Sequence, residues 1–164
     1  MSTTHIQTRR LKLVIQTPED VRAFIEGLDP EDKKELSPDW LALVEAATSP
    51  DPWTHGFALV HLAGDGVVGR IGFKGPPTAD GVVEIAYAVE PEHQGKGYAT
   101  EATEALTAYA LSREHVCLVR AHTSPEPNAS TRVLTKCGFR CLGDVMDPED
   151  GLVWRWEKAS ERVV

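Results

Sequence analysis

Apolar and polar positions alternate through residues 9–16 (RRLKLVIQ), the two-residue period of a half-buried strand. Thr17-Pro18-Glu19-Asp20 then puts proline and acidic residues at a helix start, and Val21, Phe24, Ile25 and Leu28 follow at helical spacing. Asp29-Pro30 and Ser37-Pro38 mark two more starts. The second sets Trp40, Leu41 and Val44 on one face before Ser49-Pro50 ends it. From Thr54 onward the period is that of strands again. HGFALVHL, VVGRIGF and VVEIAYAV are separated by turns at residues 64–66 and 76–81, and connections that short imply an antiparallel meander.

A helix over about residues 97–113 carries Ala102, Ala105, Leu106, Tyr109 and Ala110 on its apolar side. The strand VCLVRAH follows, then a helix over residues 130–137 that Gly138 terminates. Last come FRCLGDV and LVWRW, a hairpin around an acidic tip at residues 147–151 that reads as a solvated turn. Strand, helix and strand within one sheet require a parallel crossover, so a mixed α/β sheet of about seven strands is expected, mostly antiparallel. No repeat, linker or low-complexity tract divides the chain, and one domain over residues 1–164 is expected.

The bulk composition narrows the function. A formal charge of −8 and a pI near 5.2 argue against nucleic acid as a partner, because phosphate backbones are bound by surplus Lys and Arg. A negative field favours a cationic acceptor such as an amine, although the same charge also keeps a protein dispersed. No apolar run approaches membrane-spanning length and the first residues lack the apolar stretch of a signal peptide, so a cytoplasmic protein without a membrane partner is expected. Cys117, Cys137 and Cys141 lack the paired spacing of a zinc or redox motif and are expected to be buried thiols. The six histidines are scattered, and no metal is predicted.

The segment EIAYAVEPEHQGKGYAT carries the most chemistry. Two glycines and a small residue just before a helix free a row of backbone N–H groups, with the positive end of the helix dipole behind them. That is a seat for a phosphate or pyrophosphate. The spacing excludes a Walker A loop, and it excludes a dinucleotide fingerprint because Thr100 stands where the third glycine is needed. A literal Gly-x-Gly-x-x-Gly does occur from Gly64 to Gly69, but it lies between two strand-like runs and reads as a hairpin turn around Asp65-Gly66.

What fits is Gln94-x-x-Gly97-x-Ala99. It resembles the acetyl-CoA pyrophosphate loop of the GNAT superfamily of N-acetyltransferases, and the strand before it, the helix after it and NASTRVLTKCGF (residues 128–139) match in kind and order. Within the superfamily the chain looks most like the RimJ/RimL-type branch. The resemblance implies a GNAT-like sheet with helices on both faces and acetyl-CoA as cosubstrate. The implied activity is acetyl transfer to a primary amine, of a protein N-terminus or a small molecule, by direct attack in a ternary complex. A non-catalytic acyl-CoA-binding module is the alternative, since the loop serves both. A monomer or homodimer is expected.

The resemblance also distributes roles. The strand over residues 84–89 would splay from that over residues 116–121, leaving backbone amides at Ala88, Val89 and Glu90 for pantetheine. Gln94, Gly95, Lys96, Gly97, Tyr98 and Ala99 would hold the pyrophosphate, with Lys96 and Arg132 as phosphate contacts or merely solvated charges. Glu84 interrupts an apolar strand where such enzymes often place a carboxylate, and is the candidate general base; its other reading is an outward-facing or ion-paired residue. Many GNAT enzymes carry a tyrosine acid where this chain has Leu134, so Ser130 is the substitute, either an acid or a helix cap. Asn128 either contacts the cofactor or caps the same helix. Trp40, Trp53, His55 and the tip at residues 147–150 are candidates to border the acceptor, whereas Trp154 and Trp156 are expected in the core.

Overall fold

The computed structural model describes residues 5–64, 66–148 and 150–160. Asp65 of the expected hairpin turn and Glu149 of the acidic tip lie outside the described residues. The chain runs β1 (His5–Gln7), β2 (Leu11–Ile15), α1 (Pro18–Glu26), α2 (Pro30–Lys34), α3 (Pro38–Ala46), α4 (Pro52–His55), β3 (Phe57–His61), β4 (Val67–Phe73) and β5 (Val82–Val89). After a 3-10 turn at Pro91–His93 come α5 (Tyr98–Leu111), β6 (Leu118–Thr123), α6 (Ala129–Lys136), β7 (Arg140–Asp147) and β8 (Gly151–Ala159). The strands form one eight-stranded sheet in the order β1-β2-β3-β4-β5-β6-β8-β7. The expected count of about seven is one short. The extra strand, His-Ile-Gln, carries a single apolar residue and is made a strand by pairing His5 with Val14 and Gln7 with Lys12.

Each helix start has a local cause. Thr17 and Asp20 form a reciprocal capping box ahead of α1, and Ser37 accepts from Trp40 N ahead of α3. The short α4 was not expected; Asp51 caps it by accepting from Trp53 N. Because α4 takes up His55, β3 begins only after Gly56. There a φ of 66° is required and a Cβ would lie 2.9 Å from Ile71 O, so only glycine fits.

The core forms where the inward residues of the meander meet α5 and α6. Leu11, Leu13, Phe57, Leu59, Ile71, Val83 and Ile85 pack with Ala102, Leu106 and Ala110 of α5 and Leu134 of α6, all fully or nearly buried. Each such large side chain stabilises the fold by about 1.5–3 kcal/mol through burial. Arg70 alternates with Ile71 and so faces the other side, where its guanidinium lies 4.7 Å from the ring centroid of Phe24. This puts α1 on the face opposite α5.

The feature that positions the site is the β5–β6 junction. β5 pairs in parallel with β6 only at Val82, Val83 and Glu84, opposite Leu118, Val119 and Arg120. It stays bonded to β4 as far as Gly69 and Val89, while β6 turns its other edge to β8. A V-shaped gap therefore opens from Ile85 onward, its mouth next to the start of α5.

Candidate active site

The loop between the 3-10 turn and α5 is built by its glycines. Gly95 and Gly97 sit at φ 77° and 85°, in the left-handed region that other residues reach only with strain. Gly97 is the N-cap of α5 and has no side chain to cap it. The first intrahelical bond runs from Glu101 N to Gly97 O, so the amides of Tyr98, Ala99 and Thr100 precede the helical ladder. Gln94 turns back to donate from Nε2 to Val89 O at 2.9 Å, tying the loop to the end of β5.

The loop is also held from the β1–β2 connection. Arg10 donates from Nη1 to Lys96 O and from Nε to Glu101 Oε1, both at 2.8 Å, and its guanidinium lies 4.8 Å from the Tyr98 ring centroid. Burial pushes the Glu101 carboxyl pKa up, but hydrogen bonds from the Thr8 hydroxyl and from Arg10 outweigh it, leaving Glu101 below the ordinary carboxylate range. Arg10 lies 86 residues from Lys96 in the chain, and nothing local in the sequence marks it.

A cleft of about 420 Å³ lies between β5, this loop and α6. Of the residues expected to hold the cofactor, Ala88, Val89, Gln94, Gly95, Gly97, Tyr98, Ala99 and Arg132 line it, joined by Thr100, Val133 and Lys136. Glu90, Lys96 and Asn128 do not. Glu90 N donates to Val68 O, and Glu90 pairs weakly with Arg70 at 3.7 Å. Lys74 N likewise donates to Glu84 O, so the even-numbered residues of β5 face β4 and Ala88 belongs to that ladder. The expectation of three amides turned to the gap is corrected: the register leaves Val89 as the one of the three that faces it. Asn128 is the N-cap of α6, accepting from Thr131 N at 3.0 Å while the Thr131 hydroxyl accepts from Asn128 N at 2.9 Å. The cap is therefore Asn128 and not Ser130. Ser130 lies inside α6 and lines the cleft.

A second pocket of about 150 Å³ adjoins the first and shares Tyr87 and Ser130 with it. Glu84 lies in this one. Its Oε2 is 3.0 Å from His122 Nδ1 and 3.0 Å from Lys74 Nζ, and Lys74 Nζ reaches Asp150 Oδ2 at 3.3 Å. Arg155 Nε, which can only donate, is 3.0 Å from His122 Nε2. That assigns the tautomer: Nε2 accepts, and Nδ1 carries the proton and donates to Glu84. The His122 side chain is only 4% exposed, so this chain of contacts is fixed by packing. Burial pulls the Lys74 ammonium pKa down, but attraction to Glu84 and Asp150 outweighs it and leaves Lys74 above the ordinary lysine value.

At the junction of the two pockets, the Tyr87 hydroxyl donates to Ser130 O at 3.4 Å. Burial pushes its phenol pKa up. Leu134, at the position where the resemblance implies a tyrosine acid in many such enzymes, lines the second pocket. Sequence reasoning missed Tyr87, Lys74, His122 and Arg155. Only Tyr87 left a signal, as the one polar-tipped residue among the apolar residues on its face of β5.

The aromatic acceptor candidates are structural instead. Trp40 donates from Nε1 to Thr54 O at 2.7 Å, the Trp53 ring packs tilted against Phe73 with centroids 4.6 Å apart, and His55 is buried with Nδ1 accepting from Asp51 N. Of the acidic tip, Asp150 reaches the second pocket. Trp156 is buried as expected and donates to the Thr123 hydroxyl; Trp154 is half-buried and donates to Asp144. The cysteines differ from expectation: Cys137 is buried, its thiol pushed up to about 11 by burial, but Cys117 and Cys141 are exposed. Among the described residues no group of three or more His, Cys, Asp or Glu could hold a metal ion, and no helix is long and apolar enough to cross a membrane.

Comparison with known proteins bears on the fold and the family. The chain is 40% identical over 73 residues to the uncharacterized N-acetyltransferase YjdG of Bacillus subtilis, covering 44% of each. Its matches to the first curated relatives span 44% and 56% of their lengths, about half. Its fold superposes on an acetyltransferase (GNAT family) from Bacillus anthracis with a TM-score of 0.68 at 21% identity, over 96% of this chain and 99% of that one. It superposes on the aminoglycoside acetyltransferase AAC(6')-Ib in complex with coenzyme A with a TM-score of 0.63 at 19% identity, over 91% and 94%. The family model described as the acetyltransferase (GNAT) domain matches residues 7–140, and the chain belongs to that family.

Proposed function

We propose that the protein is an acetyl-CoA-dependent N-acetyltransferase of the RimJ/RimL-type branch, acting as one domain on a cationic primary amine. One observation carries this reading. A glycine-built phosphate seat and a pocket already holding a primary ammonium against a carboxylate meet at Tyr87 and Ser130.

The residues present fit acetyl-CoA. Gly97 keeps its backbone open, the first amides of α5 are outside the helical ladder, and Arg132 and Lys136 line the cleft as cations. Acetyl-CoA supplies an activated thioester carbonyl. The Val89 amide faces the gap where pantetheine would run as an imitation strand, and the loop amides and Arg132 would take the pyrophosphate. Glu84 accepts a proton from the acceptor ammonium, directly or through a water, while His122 and Arg155 hold the carboxylate in place. Tyr87 and Ser130 stand at the junction as O–H donors for the developing thiolate. A thiol of pKa about 8.5 departs with little help, so this assistance is modest.

A binding module without catalysis has no use for a carboxylate held by a buried imidazole that a guanidinium orients, and is disfavoured for that reason. The acceptor is a protein N-terminus or a small-molecule amine. A panel of amines and N-terminal peptides assayed by release of the CoA thiol separates these. Turnover with at least one cationic amine is expected, and binding of acetyl-CoA without release across the whole panel would favour the module.

A further inference from the structure

The acceptor pocket already contains a primary amine that belongs to the chain. Lys74 leaves the end of β4 and places Nζ 3.0 Å from Glu84 Oε2 and 3.3 Å from Asp150 Oδ2. It lines the same pocket of about 150 Å³ as Tyr87 and Ser130, the two residues that also line the cofactor cleft. An external ammonium would seek the same carboxylate, so Lys74 occupies the acceptor's seat in its absence. The side chain is 37% exposed, and a four-carbon stem with that freedom can turn toward the cleft.

We propose that Lys74 is itself an acetyl acceptor, modified at Nζ by its own active site when no external amine is present. The inference rests on the acetyltransferase reading above. Glu84 takes one proton from the Lys74 ammonium, and the freed nitrogen lone pair attacks the thioester carbonyl of acetyl-CoA. The C–N bond forms, the C–S bond breaks, and CoA leaves as thiol with a second proton from the nitrogen. The products are an acetamide on Lys74, CoA, and a proton left on Glu84 that passes to solvent. Loss of the lysine charge removes both ion pairs. Glu84 is then released from Lys74, and the β7–β8 tip loses its tie to β4 through Asp150.

The test is incubation of the full chain with isotopically labelled acetyl-CoA and no amine, followed by peptide mass spectrometry. Labelling concentrated at Lys74 is expected. It should fall by roughly 10²-fold in Glu84→Gln, and be suppressed by excess unlabelled CoA, which competes for the cleft. The CoA arm needs no variant and so does not depend on Glu84→Gln folding normally. An unlabelled Lys74 in a protein that releases CoA with an external amine would overturn the inference and leave the function standing. Labelling of Lys74 that ignores CoA would be uncatalysed chemistry and would also overturn it. No label and no release with any amine would remove both.

Discussion

The cleft proposed for the cofactor and the pocket proposed for the acceptor share a wall but are built in different ways. The cleft is made of backbone: two left-handed glycines, an uncapped helix start and the open edge of β5, most of it within residues 88–100. The pocket is made of side chains from β5, β6, α6, the end of β4 and the β7–β8 turn, with Glu84, His122, Lys74 and Asp150 each from a different segment and Arg155 of β8 behind His122. Binding a constant group such as a pyrophosphate needs only N–H donors in a fixed geometry, which a short motif encodes. Selecting and deprotonating an amine needs placed charges, which only the tertiary fold assembles.

If this division holds, damage to the pocket should spare cofactor affinity and damage to the loop should not. The largest effect is expected from Glu84→Gln, a loss of roughly 10²- to 10⁴-fold in kcat/KM with acetyl-CoA affinity unchanged by calorimetry. Undiminished turnover would remove Glu84 from the role of base. Next, Gly97→Val should weaken acetyl-CoA binding by roughly 10- to 100-fold, the loss of one or two charge-assisted hydrogen bonds. The φ of 85° and the Arg10 Nη2 atom 3.1 Å from a new Cβ should cost about 1–2 kcal/mol of stability. A melt is the control; equal binding by the variant would sink the phosphate seat.

Tyr87 belongs to both cavities and sharpens the comparison at its border. Tyr87→Phe should lower kcat by about tenfold without changing acetyl-CoA affinity, because the thiol is already a fair leaving group. A matching loss of affinity would make Tyr87 part of the cleft wall only. The smallest effect concerns the clamp. Arg10→Ala should weaken acetyl-CoA binding about threefold by loosening the loop.

The same clamp predicts a pH response. Glu101 is held below the ordinary carboxylate value in the folded chain, so its contribution is complete above the unfolded value of about 4.3 and is lost as pH falls through the folded one. With Arg10 39% exposed, the contribution is under about 1 kcal/mol. Melting curves of the native chain should therefore fall more steeply below about pH 4 than those of Glu101→Gln.

The two regions were unequally legible in the sequence, for the same reason that they differ in construction. Gln94, Gly97 and Ala99 declare the loop because its geometry depends on left-handed glycines and a small residue within six contiguous positions. Glu84 was visible as a lone carboxylate in an apolar strand, but its partners were not. The parallel register that sets Glu84 opposite Arg120 is what carries His122 within reach, and no local pattern states it. Trp40, Trp53 and His55 read either as acceptor border or as packing, because aromatic residues near a site in sequence have the same signature as aromatic residues filling a core, and the fold uses them as packing. Asn128 and Ser130 each read as a helix cap or a site residue: the capping box with Thr131 claims the asparagine as the cap and leaves the serine at the junction. In the fold, the meander and both crossovers followed from period and punctuation, whereas β1 and α4 are too short to show a period at all.

The central claim is that acetyl passes directly from the cleft to an amine in the adjoining pocket. Initial rates with acetyl-CoA and a productive amine varied together test it most directly. Intersecting double-reciprocal lines, as both substrates must be bound before CoA leaves, are the predicted result. Parallel lines, which require an acetylated intermediate between two separate half-reactions, would contradict it.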